Sequence, residues 1–289
     1  MFQPGFRAKV SLGVYGEAMA TLKNVESESE KCEPEKPEPR ITLLICALNE
    51  KKNLPYVLGQ IPPVIDETLI VDGHSTDGTI EMARKAYPNV KVLTQPGKGK
   101  GDALRYGIAN ASGDIVVMLD ADGSMSPHEL SVFIEPLLSG YDFVKGSRFI
   151  PGGGSSDMPR HRKFGNWAFT SLTNLLHRCR YTDLCYGYNA FWKRRFVESV
   201  AIESDGFEVE TEINIKVKKA GLKVLEVPSF EDKRRYGRGN LNSFKDGKRI
   251  LARIIKEFGS NKAACLITIN LCENKLPDFS NLMIPPEIG

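Results

Sequence analysis

Two aspartates, Asp120 and Asp122, stand at the end of the apolar run Ile115–Leu119 with one residue between them. Paired carboxylates released at the end of a buried strand suit a hard divalent cation, because Mg²⁺ and Mn²⁺ prefer oxygen ligands and share their coordination shell with substrate phosphates. We interpret the pair as a site for Mg²⁺ or Mn²⁺. The alternative is a polar turn that closes a strand, and an Asp-x-Asp pattern alone does not decide between them.

Two further segments have residues that suit a nucleotide. The glycines of Pro96–Gly101 let backbone amides approach an anion, and Lys98 and Lys100 add positive charge. A flexible basic turn is the alternative. Asp72, at the end of the apolar run that starts at Glu67, could accept hydrogen bonds from a ribose or a base, or serve a structural role.

Charged residues later in the chain are candidates for handling an acceptor. Arg148 and Arg162 suit bidentate phosphate contacts. Glu208 and Glu210 could orient or deprotonate an acceptor. They could equally be acids at a helix start, where the helix dipole favours negative charge.

The elements that must position these residues alternate between strand and helix. Apolar runs predict five strands, separated by helical segments, at 41–47, 67–72, 90–94, 114–120 and 143–145. This alternation predicts an α/β fold with a doubly wound, mostly parallel sheet and helices on both faces. Ligands of such sheets lie beyond the carboxyl ends of the strands, so Asp72, Lys98 and Asp120 should converge on one crevice.

Composition divides the chain into three parts. The 289 residues are 41% hydrophobic and 26% charged, which is typical of a globular protein. We predict a disordered tail at 1–40, rich in Glu and Pro, one domain at 41–258 and an irregular tail at 259–289. The six cysteines lack the spacing of a zinc site, which favours reduced thiols and a cytoplasmic location.

The basic stretch 233–256 leaves the kind of partner open. No apolar run in the sequence is long enough to span a bilayer. Residues 241–258 form a basic amphipathic pattern, which could lie on an anionic membrane surface or pack on the domain. A nucleic-acid-binding protein would account for the basic stretch but would leave Asp120 and Asp122 unexplained. We therefore expect no nucleic-acid partner.

Several segments occur in an order that resembles glycosyltransferase family 2. These are the inverting enzymes of the GT-A fold, and the similarity is greatest to polyprenyl-phosphate sugar synthases such as dolichyl-phosphate mannose synthase. The matching segments are Ala47-Leu48-Asn49-Glu50, Val71–Asp77, Gly97-Lys98-Gly99, Asp120-Ala121-Asp122, Gly146-Ser147-Arg148, Gly165-Asn166-Trp167 and Thr182–Tyr188. The sequence departs from the family's pattern at Cys46, at Ser124 and at the pair Gly239-Asn240.

The resemblance implies a nucleoside-diphosphate sugar, with GDP or UDP, as the donor. Asp120 and Asp122 would hold the metal against the diphosphate. The residues implied in nucleotide-sugar binding are Ala47, Asn49, Glu50, Asp72, Lys98, Asp120, Ala121 and Arg234. The residues implied in catalysis are Asp122, Arg148, Arg162, Glu208 and Glu210.

The remaining functional hypotheses differ in the group that accepts the sugar. The leading hypothesis is sugar transfer to polyprenyl phosphate by a peripheral protein at the cytoplasmic membrane face, with Arg148 and Arg162 facing the phosphate. A hydroxyl acceptor would need a base, for which Glu208, Glu210 and Asp183 are the candidates. A non-catalytic protein that binds sugar nucleotides on the same fold is an alternative of another class.

Overall fold

A computed structural model describes the backbone of residues 38–273 and the side chains of residues 38–259. The predicted disordered tail at 1–40 lies outside the described residues except for its last three. The part of the predicted irregular tail that follows residue 273 also lies outside them.

Seven strands form one sheet, in the order β3-β2-β1-β4-β7-β5-β8. The described strands are β1 (Ile41–Ala47), β2 (Glu67–Asp72), β3 (Lys91–Thr94), β4 (Ile115–Asp120), β5 (Phe143–Ser147), β6 (Gly154–Ser155), β7 (Asn189–Trp192), β8 (Val224–Pro228) and β9 (Phe230–Glu231). Only β7 runs against its neighbours β4 and β5 in this sheet. The predicted mostly parallel α/β sheet is therefore confirmed.

Helices connect the strands and cover the sheet. The described helices are α1 (Leu54–Leu58), α2 (Thr79–Ala86), α3 (Lys100–Asn110), a short 3-10 helix (Pro127–Glu129), α4 (Leu130–Leu138), α5 (Arg160–His177), α6 (Lys193–Ser199), α7 (Val209–Lys219) and α8 (Ser243–Glu273). The last helix continues past residue 258, so the predicted end of the domain falls inside α8.

The core lies on both faces of the sheet, because the central strands are buried along nearly their whole length. One apolar cluster joins the sheet to α1 and α4, and a second joins it to α3, α6 and α7. A third, smaller cluster joins α5, α7 and α8. Burial on both faces explains why β1, β2 and β4 are near-continuous apolar runs.

The parallel register brings the polar strand ends together. Ala47 pairs with Asp72 across β1 and β2, and Cys46 pairs with Asp120 across β1 and β4. Beyond the same edge, β6 and β9 form a separate two-stranded sheet. Within the described residues, no helix is long and apolar enough to cross a membrane.

Candidate functional site

Asp72 lies at the end of β2 in a loop that is fixed to the end of β1. Its side chain is buried, and its Oδ2 accepts a hydrogen bond from the Ser75 amide at 3.0 Å. Asn49 adopts φ 58°, a left-handed conformation that Asn tolerates. The Asn49 Oδ1 accepts from the Thr76 amide at 2.9 Å, and its own amide donates to Ser75 Oγ at 2.8 Å. These bonds fix the geometry of a polar loop beside the ends of β1 and β2.

One oxygen of Asp72 has no partner. Its Oδ1 is buried and accepts no hydrogen bond from the described residues. A buried acceptor without a donor costs roughly 1–3 kcal/mol. The N–H or O–H groups of a nucleoside would supply that donor, so this oxygen fits the predicted contact.

Asp120 ends β4 and is bound by a buried lysine. Lys100 Nζ lies 2.6 Å from Asp120 Oδ1 and 2.6 Å from Glu210 Oε1. Burial opposes the charge of Lys100, but the two carboxylates outweigh it and raise the lysine pKa. Burial, reinforced by Asp120, raises the pKa of Glu210, while Lys100 opposes that rise. A single cation therefore connects α3, β4 and α7 at the edge of the sheet.

Asp122 is bound by a cation from the opposite side of the site. Arg234 Nη1 lies 3.2 Å from Asp122 Oδ2, and its Nη2 forms an ion pair with Glu50. Glu50 also accepts from Asn53 Nδ2 at 2.6 Å. Burial raises the pKa of Glu50, and the bonds from Arg234 and Asn53 oppose that rise. Asp122 and Glu50, both predicted site residues, are therefore joined through Arg234.

The segment around Arg234 closes over α1. The Arg235 guanidinium lies 3.2 Å from the centre of the Tyr56 ring, a cation–π contact. The Tyr236 amide donates to Asn53 Oδ1 at 3.0 Å. Residues more than 170 positions apart in the sequence thus form one wall of the crevice.

The carboxylates of Asp120 and Asp122 fit a divalent metal shared with a diphosphate. Both present oxygen, the donor that Mg²⁺ and Mn²⁺ prefer. Among residues 38–259, no three His, Cys, Asp or Glu side chains converge in a metal-binding group. A metal at this pair would therefore complete its shell with phosphate oxygens or water.

A second polar network lies at the ends of β5 and β8. Arg148 Nε lies 2.7 Å from Asp183 Oδ2, its Nη1 lies 3.0 Å from Glu231 Oε2, and its guanidinium covers the Tyr186 ring at 4.5 Å. The Arg148 side chain is only 3% exposed and that of Asp183 is fully buried. Burial alone would raise the pKa of Asp183, but Arg148 lowers it.

The sequence predicts that Arg148 faces a phosphate. In the structure, its guanidinium nitrogens are instead bound to the carboxylates of Asp183 and Glu231. Asp183 accepts from the guanidinium in a bidentate manner, through Nε and through Nη2 at 3.0 Å. In this arrangement Arg148 holds the loop of Asp183 against β9. A phosphate would reach it only by displacing a carboxylate.

The remaining predicted residues lie apart from these two networks. Lys98, which was predicted to converge with Asp72 and Asp120 on one crevice, is exposed. The lysine that contacts Asp120 is Lys100. Ala121 is buried in the first apolar cluster. Arg162 is half-buried on the first turn of α5 and has no side-chain partner among the described residues. Glu208 has a buried Oε2 that has no hydrogen-bond partner among residues 38–259.

Sequence reasoning missed four residues of this site. Lys100 was noted only as a source of charge, although its position as the first residue of α3 distinguishes it from Lys98. Asn53, Tyr56 and Arg235 carry no local signal, because their partners are far away in the sequence.

The sequence and the site define the class of the protein. Residues 42–200 match the model of glycosyl transferase family 2. The chain therefore belongs to this family, as the order of its motifs predicts, and the classification as a glycosyltransferase is confirmed.

Named relatives are about one-third identical to this chain over the aligned residues. Glycosyltransferase AglJ of Haloferax volcanii is 34% identical over 198 residues, which are 67% of this chain and 63% of AglJ. The undecaprenyl-phosphate mannosyltransferase of Micrococcus luteus is 32% identical over 215 residues, 70% of this chain and 88% of the relative. The dolichol-phosphate mannosyltransferase of Pyrococcus furiosus is 30% identical over 65% of this chain and 55% of the relative.

Solved structures confirm the GT-A type of fold. Glucosyl-3-phosphoglycerate synthase of Mycobacterium tuberculosis, in complex with Mn²⁺, UDP and phosphoglyceric acid, superimposes with a TM-score of 0.62 at 22% identity, covering 77% of this chain and 79% of that one. The complex of the same enzyme with Mg²⁺ and UDP superimposes with a TM-score of 0.63 at 21% identity, covering 90% of this chain and 86% of that one.

Proposed function

We propose that this protein transfers a sugar from a nucleoside-diphosphate sugar to a polyprenyl phosphate, with inversion and with a divalent metal, at the cytoplasmic face of the membrane. One observation carries the proposal. Asp120 and Asp122 lie at the carboxyl edge of the sheet, and each is balanced by one side-chain cation, Lys100 or Arg234. A metal bound to a diphosphate has the charge and the oxygen ligands to replace those contacts.

The donor occupies the edge formed by β1, β2 and β4. The nucleoside lies against Glu50 and the unpartnered oxygen of Asp72. Asp120 and Asp122 would hold Mg²⁺ or Mn²⁺, which when bound would neutralise charge on the diphosphate. The structural relatives with Mn²⁺ or Mg²⁺ and UDP in their crystals support this arrangement for the fold.

Stabilisation of negative charge on the leaving group lowers the activation barrier of the transfer. As the bond between the sugar and the diphosphate breaks, negative charge builds up on the departing nucleoside diphosphate. Lys100 and Arg234, released from Asp120 and Asp122, donate to its oxygens, the electrostatic contribution that usually dominates such catalysis. An oxygen of the acceptor phosphate attacks the anomeric carbon from the face opposite the leaving diphosphate. This attack inverts the configuration at the anomeric carbon.

The acceptor approaches from the side of β5 and β8. A phosphate monoester is already anionic near neutral pH and needs positioning rather than a base. Arg162 has no ion-pair partner among residues 38–259 and supplies the positive charge, while Arg148 fixes the loop of Asp183 beside it. The relatives named as undecaprenyl-phosphate and dolichol-phosphate mannosyltransferases support a lipid phosphate.

A hydroxyl acceptor is the second candidate, and Glu208 favours it. Its buried Oε2 without a partner could accept a proton from a hydroxyl. Asp183 is fully bound by Arg148, and Glu210 is bound to Lys100, so both are poorer bases. Glu208→Gln would then abolish turnover on the hydroxyl substrate, whereas transfer to a phosphate would not need this residue.

The test is product analysis with radiolabelled GDP- and UDP-sugars, Mn²⁺ and a long-chain polyprenyl phosphate. We expect a labelled glycolipid that EDTA prevents from forming. Asp122→Ala should lower the rate at least ~100-fold, because the metal no longer holds the leaving diphosphate. The matched control is Asp114→Ala, an exposed residue just before the opposite end of β4, which should retain the rate. Absence of glycolipid with every donor would refute lipid transfer, and equal rates for both variants would refute the metal site.

A further inference from the structure

Helix α5 exposes three of its large apolar side chains to solvent. Phe164, Trp167 and Leu175 recur at helical spacing and are 68%, 62% and 76% exposed. The centroids of the Phe164 and Trp167 rings lie 5.7 Å apart, so the two rings contact each other. A helix packed only on its own domain would direct such residues inward.

The buried positions of the same helix are polar. Asn166, Thr170, Thr173 and His177 face the protein, and the two threonine hydroxyls have no hydrogen-bond partner within the described part of the chain. Phe169, Leu172 and Leu176 pack against the third apolar cluster, so α5 has apolar side chains on its outward face as well as on its inward one. Its outward face is complementary to an apolar environment that the domain itself does not provide.

The first turn of α5 adds positive charge without any compensation. Residues 160–163 are four consecutive basic residues, and the turn contains no acid. None of these side chains has an ion pair or hydrogen bond among the described residues. Cations at a helix N-terminus oppose the helix dipole, so an external anion would relieve an unfavourable arrangement.

The helix that the sequence singles out for a membrane is differently placed. In α8, Arg253 is buried against Glu203, Glu212 and Glu257. Lys256 pairs with Glu203, and Ile250 and Ile254 are in the core. Much of the basic amphipathic pattern of residues 241–258 is therefore used inside the domain.

We propose that the exposed face of α5, formed by residues 160–163 with Phe164, Trp167 and Leu175, docks on an anionic lipid bilayer. Charge complementarity identifies the occupant, because Arg160, Arg162 and Lys163, which have no ion pair among the described residues, adjoin the contacting rings of Phe164 and Trp167. Aromatic rings of this kind lie at the headgroup level of membranes, and each Lys or Arg near an anionic surface strengthens binding about fivefold.

This face adjoins the acceptor side of the crevice. Helix α5 starts five residues after β6, which pairs with β9 beside the Arg148 network. Asn166 Oδ1 accepts from the Cys185 amide at 3.1 Å, which fixes the helix to the loop of Asp183. Docking would present the acceptor side to the lipid surface, although bilayer binding itself requires neither donor nor turnover.

Intrinsic fluorescence provides a direct test. The chain contains two tryptophans, Trp167 and Trp192. Trp192→Phe leaves Trp167 as the reporter. Vesicles of phosphatidylcholine with about a third phosphatidylserine should shift its emission to shorter wavelength and expose it to brominated lipid quenchers. Phosphatidylcholine alone, or 0.5 M NaCl, should weaken the effect strongly because the cations then contribute little.

Paired variants assign the surface in a vesicle sedimentation assay. Phe164→Ser/Trp167→Ser should lower the partition coefficient at least ~10-fold, since the two rings that would insert into the bilayer are lost. Arg160→Ala/Lys163→Ala should lower it more than ~10-fold on anionic vesicles only. The matched control is Phe244→Ser on α8, also an exposed aromatic beside cations, with an expected change under ~2-fold.

Three outcomes would overturn the proposal: no emission shift with bound vesicles, an equal loss from Phe244→Ser, or concentration-dependent dimerisation that the aromatic double variant abolishes. The last would assign the face to a second copy of the chain. Transfer to a water-soluble short-chain polyprenyl phosphate should be retained by the aromatic double variant. That assay separates failure of docking from failure of the proposed chemistry.

Discussion

The two halves of the crevice use charge in different ways. In the half proposed to bind the donor, called the donor half and formed by β1, β2 and β4, Asp120 and Asp122 each bind one cation and are 31% and 23% exposed. In the half proposed to bind the acceptor, called the acceptor half and formed by β5 and β8, Arg148 binds two carboxylates and is 3% exposed. The donor half can therefore exchange partners when a ligand arrives, whereas the acceptor half is a fixed scaffold.

The largest effect should come from breaking the acceptor half. Arg148→Met leaves the buried Asp183 without its cation, and losing one partner of a buried pair costs about 3–5 kcal/mol of unfolding free energy. Urea unfolding measures it. Arg194→Met, which breaks an exposed pair with Glu198, should cost no more than ~0.5 kcal/mol. Equal losses for the two variants would mean that the Arg148 network is not a scaffold.

Substitutions in the donor half should lower the rate of turnover rather than the free energy of unfolding. Asp120→Asn leaves the pair between Lys100 and Glu210 intact, so unfolding free energy should change by under ~1 kcal/mol. Turnover should fall about 100-fold or more, because a metal ligand is lost. Steady-state kinetics and urea unfolding on the same preparation check both. A stability loss as large as that of Arg148→Met would erase the distinction between the halves.

A smaller effect is expected at the nucleoside contact. Asp72→Ala removes the buried acceptor without a partner, so nucleotide affinity should fall about 10-fold by calorimetry. Asp77→Ala is the control in the same loop. The Asp77 carboxylate accepts hydrogen bonds from the backbone amide of Thr79 at 3.0 Å and from the backbone amide of Lys51 at 3.1 Å. That variant should lower stability by ~1 kcal/mol with little change in affinity. Equal affinity losses would indicate that loop geometry, not Asp72 itself, determines binding.

The smallest effect should be the acid sensitivity of the acceptor half. Arg148 lowers the pKa of Asp183 below the unfolded value of about 3.9. This stabilisation is complete above that pH and is lost as the pH falls through the folded pKa, by at most ~1.4 kcal/mol per pH unit for one group. Urea unfolding between pH 6 and pH 3 should show this slope, and Arg148→Met should flatten it. An unchanged slope would assign the acid sensitivity to other carboxylates.

The donor half could be predicted from sequence because its signals are local. Strands β1, β2 and β4 are apolar runs, and two of them end on acids, so the shared edge of a parallel sheet brings Asp72 and Asp120 together. The choice between Lys98 and Lys100 could not be made from spacing, since both alternate with glycine. It depends on where α3 begins.

The sequence predicts Arg148 and Asp183 as site residues but not the ion pairs that join them, because the partners are distant in the chain. Arg148 meets Asp183 and Glu231, which lie 35 and 83 residues away. Strand β7 has four residues and begins with the buried polar Asn189, so neither length nor periodicity reveals it. Tertiary context rather than local pattern fixes these elements.

The insertion of β7 between β4 and β5 has a consequence for synthesis on the ribosome. Strand β4 ends at Asp120, and its neighbour β7 begins at Asn189, so about 70 residues separate them. At ~5–20 residues per second, the edge of β4 stays unpaired for roughly 4–14 s. An apolar, unpaired edge of this kind invites pairing with other chains. The nascent protein should therefore depend most on chaperones between these two points, before β7 emerges and covers the edge.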